Sequence, residues 1–182
     1  MSHLAFGLRS PQDLYAKLRR ELARFEAATS HESPEHRHQS DLAFNCAVTA
    51  WHLVDWTWQF RHQDQSIAAK IPGHFNFQDF HALVRGECEA LDICHEIATG
   101  AKHVRLTQKT NPIVESATRA VIHDSGICRS VVEPITRPAV RPVVGRYEEK
   151  LPVRLRNGQH VSASEVFLAA AEYWERLLYG RG

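Results

Sequence analysis

Between Leu42 and Phe60 the apolar residues Leu42, Phe44, Cys46, Ala47, Val48, Ala50, Trp51, Leu53, Val54, Trp58 and Phe60 cover most of a helical circumference. A helix that is apolar nearly all round has to be packed on several sides, so the pattern predicts a central helix of a bundle, capped by Ser40 or Asp41. Its polar residues are not scattered. Asn45, Thr49, His52 and Gln59 fall on one narrow stripe, Trp56 lies among them, and Asp55 stands to one side.

The rest of the chain supplies partners for this helix. Ser10-Pro11-Gln12-Asp13 reads as a helix start, with Ser10 as cap, Pro11 at the first position and Asp13 answering the free amides. Leu14, Leu18, Leu22 and Phe25 then form one apolar stripe that fades near Thr29. His31 to His38 is polar, contains Pro34 and lacks periodicity, so a loop is expected there. One short helical turn is expected at Ser66 to Lys70 before Pro72-Gly73. Asn76 with Asp79 caps a third helical stretch, which Gly86 is expected to divide and Gly100 to stop.

Beyond His103 the pattern changes to strands. Ala117 to Ile122 and Ile127 to Val132 read as a pair joined across Asp124-Ser125-Gly126. Glu133 to Arg146 carries Pro134, Pro138 and Pro142 and suits an extended edge or loop. Leu151 to Arg156 and His160 to Ala163 flank Asn157-Gly158, a strong hairpin signal. Ser162 or Ser164, with Glu165, starts a last helix that Gly180 ends. The expected fold class is α+β: a helical bundle of three to four helices, a small antiparallel sheet and a closing C-terminal helix. One domain spans 1–182, with a helical part over 1–103, a small β part over 104–163 and the C-terminal helix over 164–180 packing back.

Composition narrows the function classes. The 22 Lys+Arg and 21 Asp+Glu residues nearly cancel, but unevenly. Residues 1–103 carry 10 basic and 13 acidic residues, and residues 104–160 carry 10 and 5. A basic segment containing Arg137, Arg141 and Arg146 beside an acidic helical body suits contact with RNA or with an unidentified protein partner. No apolar run reaches the ~18 residues of a membrane span, so no membrane contact is expected. Met1 to Arg9 has no signal core, and Cys46, Cys88, Cys94 and Cys128 show no CxxC spacing. Reduced thiols and a cytoplasmic location are therefore expected. The 12 histidines form no HxxxH or HExxH pattern, so no metal is expected. No phosphate-binding or nucleophile-elbow glycine motif is present, and no cofactor is expected.

Two groups of side chains are the candidates for chemistry. On the second helix Asn45, Thr49 and His52 share a face beside Asp55, and His52 is a potential general acid or base. On the third stretch Asp92, His95 and Thr99 share a face, which Lys102 joins if the helix continues past Gly100. A pocket between the two helices would take His52, Lys102 and His103 as reacting groups and Asn45, Thr49, Asp55 and His95 as its polar lining.

The strings Ala50-Trp51-His52-Leu53-Val54-Asp55-Trp56 and Ala98-Thr99-Gly100-Ala101-Lys102-His103 resemble those of a group of small uncharacterised bacterial proteins, which share an AWHL-x-DW helix and a later G-x-KH helix end. The Asn-Gly hairpin and the Trp-containing last helix are similar too, so the resemblance extends over most of the chain. The chain also resembles, more distantly, the HEPN superfamily of helical domains, many of them ribonucleases. Those enzymes carry Arg followed four to six residues later by His. The nearest match is Arg24 with His31, and His31 lies beyond the expected helix end. The HEPN likeness implies metal-independent RNA cleavage, with Lys102 and His103 supplying comparable groups.

Two functions of different class follow. One is a non-catalytic interaction or accessory protein with an unidentified protein partner, and the other is a HEPN-like ribonuclease or RNA-binding protein. Four Trp residues and an open sheet edge also permit a homodimer.

Overall fold

The structure, a computed structural model, describes residues 7–30, 36–102, 114–117, 120–122, 128–129, 148–155 and 157–180. It is an α+β fold, mostly helical. Helix α1 spans Pro11–Ser30. Ser10 Oγ accepts from the Asp13 amide at 3.1 Å, and the Asp13 carboxylate accepts from the Arg9 amide at 2.9 Å. These bonds satisfy the exposed end and hold the Asp13 carboxyl below its usual range, the Arg9 amide first.

Helix α2 spans His36–Phe60, starting well before Ser40. The expected loop is shorter because Gln39, buried, donates its side-chain amide to the Ala28 carbonyl at 2.9 Å. That bond ties the start of α2 to the end of α1. Helix α3 is a single turn, Gln65–Ala68, capped by Asp64 and anchored by buried Ile67. Helix α4, Phe77–Glu87, begins with the expected reciprocal pair of Asn76 and Asp79.

The break after α4 falls at Cys88, whose backbone is extended (φ −140°, ψ 97°), and not at Gly86. Cys88 ends one helix and begins the next: its amide donates to the Val84 carbonyl, and its carbonyl accepts from Leu91 and Asp92. Helix α5 then runs Glu89–Lys102, straight through Gly100. A helical glycine costs only about 0.5–1 kcal/mol, and packing against α2 and α6 outweighs that.

Two small antiparallel sheets follow. One has the order β1 (Val114–Ala117), β5 (Pro152–Leu155), β6 (His160–Ser162). The other has the order β3 (Cys128–Arg129), β2 (Ala120–Ile122), β4 (Glu148–Lys150). The segment expected as one strand over 117–122 is therefore divided between the sheets. Its second half pairs with β3 as expected, Val121 opposite Arg129 and Ile122 opposite Cys128. The β5–β6 hairpin closes with a three-residue loop. Leu155 N donates to Gln159 O, Gly158 N donates to Leu155 O, and Gly158 takes the left-handed conformation at φ 86°. The proline-rich segment 133–146 lies outside the described residues.

Helix α6, Ala163–Tyr179, closes the fold and ends at left-handed Gly180, φ 67°. Its Trp174 is fully buried and donates its indole N–H to the Ala50 carbonyl of α2 at 2.9 Å. Phe25 of α1 and Phe167 of α6 meet edge to face at 5.4 Å beside it. Helix α2 packs against α1, α4, α5 and α6, as a central helix must. One side of it nevertheless remains in solvent: Asp41, Phe44, Asn45, His52, Asp55 and Gln59 are exposed. Among the described residues no helix is long and apolar enough to cross a membrane.

Candidate functional site

Three helices each contribute two side chains one turn apart. These are Trp51 and Asp55 from α2, His81 and Arg85 from α4, and Asp92 and His95 from α5. Spacings of three or four residues put each pair on one helix face. Trp51 is the hub. Its ring lies 4.6 Å from His81 and 4.5 Å from His95, and the two imidazoles are 5.2 Å apart at 86°. Phe77 closes one side, 5.9 Å from His81. The Arg85 guanidinium is paired with the Asp92 carboxylate, joining α4 to α5 across Cys88.

Burial sets the protonation of this cluster. His81 and His95 are half-buried, and loss of hydration disfavours their charged forms. For His95, burial, then Arg85 and His81, brings the pKa down to about 4 against the opposing Asp92 carboxylate. His81 is also lowered, by burial and then Arg85, with Asp55 and Asp92 opposing. His95 Nδ1 is buried and has no hydrogen-bond partner. At neutral pH both rings are therefore uncharged and able to accept a proton. Among the described residues no group of three His, Cys, Asp or Glu side chains is placed to hold a metal ion.

The residues singled out from the sequence are distributed around this cluster and do not all enter it. His95 is part of it, and Asp55 acts on His81 electrostatically. Asn45 and His52 are exposed on the outer side of α2. The α2 residue that reaches between α4 and α5 is Trp51, one position away from His52 and about 100° round the helix. Thr49 turns towards α1: it is buried and takes a 2.7 Å hydrogen bond from Lys17 Nζ, which is also paired with Glu21. Lys102 lies on the last turn of α5, so the backbone carries it along the Asp92–His95–Thr99 line, while its side chain and His103 lie outside the described residues. Arg137, Arg141 and Arg146 lie outside them as well.

His81 and Arg85 were not singled out by sequence reasoning. The available signal is that they sit one turn apart on a capped helix, as Asp92 and His95 nearly do on the next. Spacing alone does not say which helix faces which.

Two further features bear on reactivity. Three thiols are held in the protonated, unreactive form: Cys46 is pushed up to about 12 by burial and then by Glu21, and burial likewise raises Cys88 and Cys94. An open cleft of about 350 Å³ at the end of α6 is lined by Lys70, Glu87, Tyr173, Arg176 and Leu177. There Tyr173 donates to Glu87 at 2.8 Å, and Lys70 donates to the carbonyls of Arg176 and Leu177. The polar groups of the cleft thus tie α6 to α4 and to the segment that follows α3. Compared with protein-family models, with curated proteins and with solved structures, the chain matches none.

Proposed function

We propose that this chain is a non-catalytic interaction protein whose helical body presents the outer side of α2 to a protein partner. The observation that carries this reading is the exposed line Asp41, Phe44, Asn45, His52, Asp55 and Gln59, which lies on one face of the central helix and includes a large apolar side chain, Phe44 at 39% exposure. An isolated apolar residue at a surface is ordinary, but here it sits within a regular polar stripe. The remaining chemistry-bearing groups argue in the same direction, since the thiols stay protonated and the His81–His95 pair is packed against Trp51. A bacterial, cytoplasmic setting belongs to this proposal. It is supported by the motif resemblance and by the free thiols of Cys46, Cys88 and Cys94.

Photo-crosslinkers placed at Phe44 and His52 test it. The expected result is one partner captured at both positions in fixed stoichiometry and not at Leu168, an exposed position on α6. The complementary assay incubates labelled RNA with the protein in EDTA. No cleavage is expected. Cleavage lost in His52→Ala with circular dichroism unchanged overturns the non-catalytic reading.

A second reading, a metal-independent HEPN-like ribonuclease or RNA-binding protein, is supported by the basic balance of residues 104–160 and by the accessibility of His52. RNA binding that weakens on removal of Arg137, Arg141 and Arg146 favours RNA contact. Cleavage lost in both His52→Ala and His103→Ala favours the nuclease.

A further inference from the structure

The cluster of Trp51, His81 and His95 holds α4 against α2 and α5 through groups whose charge changes with pH, and α4 is a short helix set off from its neighbours, with its last residue Glu87 bonded to Tyr173 of α6. It is bounded by the non-helical segment 69–76 on one side and by extended Cys88 on the other. Its buried side chains are Phe80 and Val84, and Phe80 stacks on Trp58 at 5.8 Å. We infer that α4 is an acid-released latch: protonation of His81 and His95 frees it from α2 and α5 and uncovers the aromatic surface of Trp51 and Trp58. This inference stands apart from the reading of the outer side of α2, since it concerns the adjoining face that carries Trp51.

The charges around the rings make the direction definite. The groups facing the two imidazoles are Asp55 on α2, Arg85 on α4 and Asp92 on α5. Asp92 is already paired with Arg85. Two imidazolium rings 5.2 Å apart beside Arg85 would place three cations against two carboxylates, one of them committed. A proton on His95 Nδ1 would also be a buried donor with no acceptor. The released helix imposes neither cost, so its histidines take protons at the ordinary value near 6.5. The closed state binds fewer protons than the open one between about pH 6.5 and pH 4. Closure is therefore unaffected above that window and weakens as pH falls through it.

Hydrogen exchange of the full chain, corrected for intrinsic rates, measures this directly. The opening constant of α4 amides is expected to rise up to about tenfold per pH unit through His95 between pH 6 and pH 4, with a further rise from His81, while amides of α1 and α6 change less than twofold. In the double variant His81→Phe/His95→Phe the α4 response is expected to vanish. Parallel behaviour of α4, α1 and α6, or a double variant with the wild-type response, overturns the inference. Should the double variant not fold, titration of the wild-type imidazole resonances decides. Values for both rings below that of free imidazole support the latch, and a value at or above it for either ring overturns it.

Discussion

Helix α2 has two sides that are built differently. Towards α1 and α6 it meets mainly carbon: Phe25, Phe167 and Trp174 are buried on those helices, the Trp174 indole N–H finds the Ala50 carbonyl, and buried Thr49 takes its hydrogen bond from Lys17. Towards α4 and α5 it meets rings with nitrogen in them, His81 and His95, together with an ion pair. The first side depends on excluded water and dispersion, which change little with pH. The second depends on two imidazoles staying neutral. The fully buried side thus gives one permanent contact and the half-buried side one conditional contact.

Three substitutions test that contrast. Trp174→Ala should be the most damaging. It removes the largest fully buried side chain and leaves a cavity between three helices, at a cost of about 4 kcal/mol in urea unfolding followed by circular dichroism. Phe80→Ala should remove about 3 kcal/mol of packing, but chiefly from α4. Protection of α4 amides should then fall roughly 100-fold, while the global midpoint shifts less than with Trp174→Ala. An equal shift would break the distinction between the two sides. Asn76→Ala should cost about 1 kcal/mol by removing the acceptor for the Asp79 amide, again read best at α4 amides.

Local signals were legible where one residue answers another close in sequence. Ser10 with Asp13, Asn76 with Asp79 and Gly180 each sit where the sequence puts them, because caps and left-handed stops depend on a few neighbouring backbone groups. Gly86 and Gly100 misled for the complementary reason. Their tolerance for turning is not a requirement to turn, and packing on α2 and α6 keeps the helix intact around Gly100. The early start of α2 depends on Gln39 reaching Ala28, a contact between helices that periodicity does not encode. The site was only half legible for the same reason. The sequence shows His95 and Asp92 on one face and His52 on another, but which face of α2 meets α5 is decided by the fit of Trp51 between His81 and His95.

Trp174 also has a consequence for the order of events during synthesis. Its partner carbonyl lies on α2, one of the first long helices to be made, yet α6 follows α5 only after residues 103–162. At ordinary elongation rates those residues take roughly 3–12 s to emerge. For that interval the Ala50 carbonyl lacks the indole N–H it meets in the folded chain, and Phe25 lacks the ring of Phe167. The bundle is then an open half-core whose faces on α1, α2 and α5 wait for the last helix.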